Sequence, residues 1–425
     1  MLKTGTDLAR LILLDHEHFQ QKWDRNMKLL SVRTVLTPDI TQIGLFEAKS
    51  GQQYTVYFRS ADVKTAPDRT DHFFIVGLIA AFLRGEPYRH LGAVDQQLFE
   101  NVHTAMDQWS DWWRYRPVSV FAETIDFHAD QAMAARTASL LSGGVDSMFT
   151  AQTSGGDIDA FVNLAHTRQL GDQSFGSNGH DNLLSYANCV GKALFTVETN
   201  IMYAFPEIED AWSSLTHGPC LAAIGHFLGR ELAELYISSS FATNQLRPWG
   251  SHPLTDHLMS SSDLKFLHMG DEYNRLQKHR AVARDPIALR HLSVCERGPQ
   301  RGEFINCSKC QKCLRSMITL DLLGIERDAA PSFDWSDYDP TRLRQFLLQG
   351  HVNSSELLDY AEQIGRDDIA QILGDVIAYS KRYRWIVQLE LFFRRRFRGV
   401  SKYKMVLMRL RAAVYALMNI KSRRQ

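Results

Sequence analysis

Apolar and polar positions fall into two rhythms along this chain. Gln53–Phe58 is rich in Tyr, Val and Thr and predicts a strand, with another around Val32–Leu36. Phe73–Leu83, the longest apolar run at 11 residues, predicts a buried helix and is too short to cross a bilayer. Val94–Tyr115 follows with helical spacing and three tryptophans, Trp109, Trp112 and Trp113. Residues 1–130 therefore read as an N-terminal α+β module packing on the rest. The tryptophans read as packing residues, since no second signal supports a cofactor box.

From residue 131 the rhythm changes. Thr137–Leu141, Asp159–Leu164, Ala193–Glu198 and Leu235–Ser239 are short β-prone runs, and helix-compatible stretches begin at Met148 and cover Pro219–Leu232. Strand and helix alternating in this way predict an α/β domain over 131–326, a parallel sheet with flanking helices, with ligands at the carboxyl ends of the strands. Leu314–Leu323 reads as a helix, Pro331–Pro340 as a linker or capped turn, and Thr341–Gln349, Ser354–Ile364 and Asp367–Tyr379 as short helices filling 327–380.

Composition bounds the picture. The chain has 425 residues, 44% hydrophobic and 23% charged, which suits two or three globular domains and excludes wholesale disorder. Its neutral total conceals a polarity. Residues 381–425 carry 14 Lys/Arg against the single acid Glu390, a net of +13, which leaves −13 on the first 380 residues. This basic helical tail interleaves Arg394, Arg395, Arg396 and Arg398 with Phe392, Phe393 and Phe397. Such a tail can dock on an acidic partner or its own acidic body, lie on a membrane surface, or bind a nucleic acid. The first residues, Met1–Arg10, lack an apolar stretch of signal-peptide type, so a cytoplasmic location is expected.

Two motifs carry chemistry. Ser142-Gly143-Gly144-Val145-Asp146-Ser147 follows an apolar strand and opens a helix. Paired glycines let the backbone curl so that several N–H groups converge, and the helix adds its positive end. Serine hydroxyls can donate, and Asp146 can hold Mg²⁺ or a nucleotide donor. The cradle suits a pyrophosphate, yet it has neither a Walker lysine nor the G-x-G-x-x-G fingerprint. The second motif is Cys307-Ser-Lys-Cys310-Gln-Lys-Cys313 with Cys295 upstream. Four thiols at this spacing point to a closed tetrahedral Zn²⁺ site, with an Fe–S cluster or redox thiols as the alternatives. Cys189 and Cys220 read as small buried residues.

The hexapeptide resembles the PP-loop, SGGxDS, of the N-type ATP pyrophosphatase superfamily. Loop and cysteine knuckle together resemble the 7-cyano-7-deazaguanine synthase (QueC) family over about residues 135–325, and the extended chain is similar to QueC-like proteins of bacterial antiphage systems. The resemblance implies an adenine-nucleotide alpha-hydrolase-like fold and an ATP-dependent ligase that releases AMP and pyrophosphate. A carboxylate of deazaguanine type would be activated with AMP for attack by ammonia or another amine. Ser142, Gly143, Gly144, Val145, Asp146, Ser147 and His166 would bind ATP, and Cys295, Cys307, Cys310 and Cys313 would hold zinc. The family's G-x-N-x-x-D segment is replaced here by Ser238-Ser-Ser-Phe-Ala-Thr-Asn244.

Cations for the leaving pyrophosphate are sought at Lys265, Arg275 and Lys278, with Asp146, Ser147 and Lys265 as the catalytic set. His217, His252 and Asp256 are the candidate substrate-binding residues, His257 a further polar residue of the same loop, and His180 and Asp181 read as loop. The expected partners are the acid and ATP, with a protein acceptor or operon partner reached through the tail and a second copy of the chain left open. Two other functions stand beside this one: a PP-loop synthetase or tRNA-modifying enzyme acting on a different acid or base, and a non-enzymatic assembly protein that keeps the nucleotide fold.

Overall fold

The computed structural model describes residues 26–126, 136–170, 177–295, 297, 304–346 and 352–385. The basic stretch from residue 386 onward lies outside them. The described chain is α/β, built on one sheet of ten strands. In chain order these are β1 (Met27–Val35), β2 (Ile40–Glu47), β3 (Gln53–Ser60), β4 (Tyr88–Asp95), β5 (Val120–Ile125), β6 (Thr137–Leu140), β7 (Ala160–His166), β8 (Ala193–Thr199), β9 (Glu234–Ser238) and β10 (Lys265–Met269). Their order across the sheet is β10-β9-β6-β7-β8-β3-β2-β1-β4-β5.

The half from β10 to β8 is wholly parallel. Its order places β6 at the point where successive strands begin to run the other way across the sheet. That is the doubly wound arrangement, in which a crevice opens between β6 and β9 at their carboxyl ends. Helices α3 (Val145–Thr153), α4 (Ser177–Cys189) and α5 (His217–Leu228) alternate with these strands. His180 and Asp181, expected in a loop, lie in the first turn and a half of α4.

The N-terminal elements continue the same sheet. Phe58 and Arg59 of β3 pair antiparallel with Thr199 and Glu198 of β8. The seam is stitched by side chains: Asn200 takes the Tyr57 N–H at 3.0 Å and donates to the Thr55 carbonyl at 2.8 Å, and Arg59 reaches Glu198 at 3.1 Å. Helices α1 (Asp71–Arg84) and α2 (Gln96–Trp113) belong to this half. α1 is buried almost all round because it packs on β4 and on α5 at once. Phe58, Phe73 and Phe227 pack ring on ring across the join, each fully buried. A ring of that size contributes roughly 1.5–3 kcal/mol by burial. Trp109 is buried in this core, as a packing residue should be.

Beyond β10 come α6 (Arg275–Ala283), α7 (Pro286–His291), α8 (Gln311–Leu322), α9 (Val352–Gln363) and α10 (Asp367–Arg382). α9 and α10 bury Leu357, Ala361, Ile369 and Leu373 against Leu314 and Ile318 of α8. Of the helix expected at Thr341–Gln349, the described part is a tight 3-10 stretch, Pro340–Gln345. Asp339 caps it through the Thr341 N–H, and Phe346 is already extended.

Candidate functional site

β6 delivers the chain to the crevice, and the phosphate-type loop begins one residue after Leu141. Gly143 has φ +77°, a left-handed conformation that a side chain would strain, so glycine is required there. The Ser147 hydroxyl donates to the Gly144 carbonyl at 3.0 Å and takes the Ser142 N–H at 3.2 Å, which closes the loop on itself. α3 then starts at Val145 on the N-cap Gly144, which has no side chain to cap the first-turn amides. Those N–H groups and the helix dipole are left to an anion.

Asp146 stands in that first turn between two cations. Arg275 Nη1 lies 2.9 Å from its Oδ2, and Lys278 Nζ lies 3.6 Å from its Oδ1. Lys278 is almost fully buried and donates to the Ser239 carbonyl, just past the end of β9, at 2.7 Å. Burial lowers the Lys278 ammonium from its usual range, the Asp146 carboxylate opposes this, and Arg275 adds to the lowering. Asp146 Oδ1 is buried and has no hydrogen bond among the described residues. A carboxylate oxygen with a cation at 3.6 Å but no hydrogen bond, beside uncapped amides, is a donor set that would suit Mg²⁺ and a polyphosphate. The residues therefore fit that pair of ligands.

Of the three sequence candidates for the cation, the structure brings Arg275 and Lys278 to the loop and leaves Lys265 out. Lys265 is exposed at the amino end of β10, paired with Glu234. The five-residue strand, at about 3.3 Å per residue, puts it some 13 Å from the carboxyl end. It lies at the wrong edge of the sheet because it opens a strand that the sequence reading did not recognise.

His166 ends β7, one strand from the loop, with its ring edge-on to Trp212 at 5.0 Å. Burial pulls its pKa down to about 4, so the imidazole is neutral near pH 7. His217 opens α5 and donates from Nδ1 to the Trp212 carbonyl at 2.9 Å. It can sit there because Gly218 and Gly250 face each other closely: a Cβ on Gly218 would come within 1.9 Å of the Gly250 carbonyl oxygen.

Asp256 and His252 belong to a separate hydrogen-bonded cluster with His268 of β10. The Asp256 carboxylate takes the Ser251 hydroxyl at 2.7 Å, the His252 N–H at 3.1 Å and His268 Nδ1 at 2.7 Å. His252 takes the Leu254 N–H on Nδ1 at 3.1 Å, which puts any ring proton of the neutral form on Nε2. Its pKa is lowered, first by burial and then by the neighbouring His268. Trp112 of α2 lies 4.7 Å from the His252 ring, so the N-terminal half touches this cluster. His257 lies apart, exposed, donating from Nδ1 to the Pro253 carbonyl at 2.9 Å. His268 is the residue that the sequence reading missed. It shares a face of β10 with Phe266, and the run Lys-Phe-Leu-His-Met has no alternation that would announce it.

The second centre is sulfur. The Sγ atoms of Cys295, Cys307, Cys310 and Cys313 lie within 4.8 Å of one another. Cys310 and Cys313 stand 3.4 Å apart and Cys307 and Cys313 stand 3.9 Å apart. A disulfide needs about 2.05 Å, whereas a tetrahedron with Zn–S bonds of about 2.3 Å has edges of about 3.8 Å. Cys310 caps α8 and Cys313 sits in its first turn, where the helix dipole favours thiolates. Hydrogen bonds from Cys295, Cys310 and Cys313 pull the Cys307 thiol down, while Cys295 and Cys307 push Cys310 up. Four such sulfurs ionise together only around a cation, and the cluster could hold a metal ion such as zinc. Ser308, left-handed at φ +56°, turns the first C-x₂-C and takes the Asp334 N–H at 2.8 Å. Cys220 is buried and Cys189, placed in the interior by the sequence reading, is exposed at the end of α4.

No helix of the described residues is long and apolar enough to cross a membrane. Set against known proteins, the chain matches no family model, no curated protein and no solved structure.

Proposed function

We propose that this chain is an ATP-dependent, adenylate-forming ligase of the 7-cyano-7-deazaguanine synthase type. The observation that carries the reading is the loop Ser142–Ser147 at the β6/β9 crevice, with Asp146 between Arg275 and Lys278. A carboxylate oxygen of the acid substrate attacks the α-phosphorus of ATP, the bond to the β-phosphate oxygen breaks, and pyrophosphate leaves. The amine nitrogen then attacks the acyl carbon, the C–O bond to AMP breaks, and a proton leaves the nitrogen.

Each residue has a task in that sequence. The first-turn amides of α3 and the Ser142 hydroxyl orient the phosphates, and the Ser147 hydroxyl keeps the loop closed. Arg275 and Lys278 neutralise charge that builds on the α-phosphate and the leaving group, the kind of electrostatic work that dominates such transfers. Asp146 would hold Mg²⁺, which supplies further neutralisation of the phosphates. His166 serves the nucleoside end. His217 and His252 face the acid and the amine as neutral imidazoles, and Asp256, saturated by three donors, orients His268 and the 251–256 loop. Zinc at the four cysteines would be structural, with no open position for chemistry.

The test is pyrophosphate exchange. Full-length protein with ATP, labelled pyrophosphate and 7-carboxy-7-deazaguanine should return label to ATP, and should do so only when the acid is present. Cytoplasmic residence and a role in antiphage defence belong to this same reading and rest on the family resemblance alone.

A further inference from the structure

The loop and the sulfur cluster are joined by four residues. After α7 ends at His291, the chain runs Leu292-Ser293-Val294-Cys295 into the first sulfur ligand. Ser293 lies directly on the phosphate loop: its N–H donates to the Gly143 carbonyl at 2.7 Å. A Cβ built on Gly143 would meet the Ser293 Cβ at 3.0 Å, so nothing separates the two segments.

The residues on either side of Ser293 are held by one buried side chain. Asn306 donates from Nδ2 to the Leu292 carbonyl at 2.7 Å and takes the Val294 N–H on Oδ1 at 2.8 Å. Asn306 is the neighbour of Cys307 in the chain. The strap is thus anchored at Cys295 by its own end and at Cys307 through Asn306. Both anchors are sulfur ligands.

The contact with Gly143 sets a direction. A trans peptide is planar, and its carbonyl and N–H point opposite ways. Fixing the Gly143 carbonyl on the strap fixes the Gly144 N–H on the other side, toward the Ser142 hydroxyl and the interior of the loop. That amide donates to the Ser142 hydroxyl at 3.4 Å, so the contact helps to set the hydroxyl that the loop turns toward an anion. With the strap loose, Gly143, free at positive φ, could turn the peptide away.

We infer that Leu292–Cys295 is a positioning element for the phosphate loop, so that metal occupancy of the four cysteines and nucleotide affinity at Ser142–Ser147 are thermodynamically linked. The nucleotide half of this inference rests on the ATP reading above, and the loop-ordering half does not. Linkage is reciprocal: whatever factor the metal adds to nucleotide affinity, the nucleotide adds to metal affinity. A cluster that merely stiffened a distant part of the fold would leave nucleotide affinity and exchange over 141–147 unchanged on metal removal.

The experiment uses the full chain loaded with Zn²⁺ and the same chain stripped by a chelator. Three quantities are read: amide hydrogen exchange over residues 141–147, the Kd for the non-hydrolysable analogue α,β-methylene-ATP, and the zinc affinity in a chelator competition with and without that analogue. Stripping should raise exchange over 141–147 and weaken the analogue roughly tenfold, and the analogue should raise zinc affinity by the same factor. Unchanged exchange, or analogue affinity equal within about twofold, would overturn the inference. Raised exchange with no analogue binding even in the zinc form would sink the ATP reading and leave the positioning role standing.

Because stripping could unfold the chain, a pair of variants repeats the test with all four cysteines in place. Ser293→Pro deletes the donated N–H together with the hydroxyl, Ser293→Ala deletes the hydroxyl alone, and Leu292, at ψ 119°, already has the backbone that precedes a proline. Ser293→Pro should lose protection over 141–147 while it keeps its zinc, and Ser293→Ala should keep both. Equal protection in the two variants would refute the role of that hydrogen bond.

Discussion

Arg275, the first residue of α6, places Nη1 2.9 Å from Oδ2 of Asp146, the second residue of α3. The contact closes the crevice at the switch between β6 and β9 from two different helices. Lys278 stands one helical turn further along α6 and reaches the same carboxylate and the Ser239 carbonyl. In the proposed function Arg275 and Lys278 exchange this carboxylate for phosphate oxygens when the nucleotide binds.

Replacing these cations should damage turnover more than binding. Arg275→Ala is expected to lower kcat by about 10²–10³-fold, the size seen when one donor to developing charge is removed. The pair is partly exposed, so the fold should hardly notice. A change in KM alone, with kcat preserved, would assign Arg275 to ground-state binding. Lys265→Ala should have no effect on either constant, because that residue lies at the opposite end of β10.

Metal loss and thermal stability should move together. Cys310→Ser breaks a four-sulfur set whose binding energy is also folding energy. Zinc by atomic absorption should fall from one per chain toward zero, with a lower Tm. Iron and labile sulfide in freshly purified protein would replace the zinc assignment by a cluster.

The N-terminal half should prove inseparable from the rest. Phe58 is fully buried against Phe73 and Phe227, on opposite sides of the join. Phe58→Ala should cost about 3–5 kcal/mol and destabilise both halves in one transition. Two separate unfolding transitions, with only the first one shifted, would show that the halves fold independently.

Stability should fall as the medium turns acid. Burial depresses His90 to about 3 and His166 to about 4, burial with Arg275 nearby depresses His279 to about 4, and burial with His226 nearby holds His72 well below its usual value. Between those values and the unfolded value near 6.5, the unfolded chain binds protons that the folded chain refuses. Each group therefore removes about 1.4 kcal/mol per pH unit as pH drops through that window. Asp71, raised by burial, acts in the opposite sense at the acid end. Urea midpoints should fall from pH 7 to pH 5, and His72→Phe should flatten the slope. Midpoints that hold steady or rise over that range would contradict neutral, buried histidines.

Local signals explain what was legible. β6, the Gly-Gly turn and α3 sit in adjacent residues, and the cysteines announce themselves by spacing. The buried helix Phe73–Leu83 was readable because its apolar run has no polar face. β2, Ile40–Glu47, and β10, Lys265–Met269, were not, since their polar residues break the alternation and only pairing partners far along the chain define them. Missing β10 had two consequences: Lys265 was given the place of Arg275 and Lys278, and His268 went unseen. The join between β3 and β8 rests on two residue pairs, Phe58 with Thr199 and Arg59 with Glu198, which no periodicity could reveal. The strap on Gly143 is a single backbone hydrogen bond and has no sequence signature.

Cleavage of ATP between the α and β phosphates at the loop around Asp146 is the reaction that most directly marks the proposed ligase. Full-length protein should be incubated with Mg²⁺, ATP, ammonium and 7-carboxy-7-deazaguanine, and the phosphorus products followed by ³¹P NMR. AMP and pyrophosphate are expected in equal amounts, formed only with the acid present and absent in Asp146→Ala. ADP and orthophosphate as the products would contradict the proposed ligase.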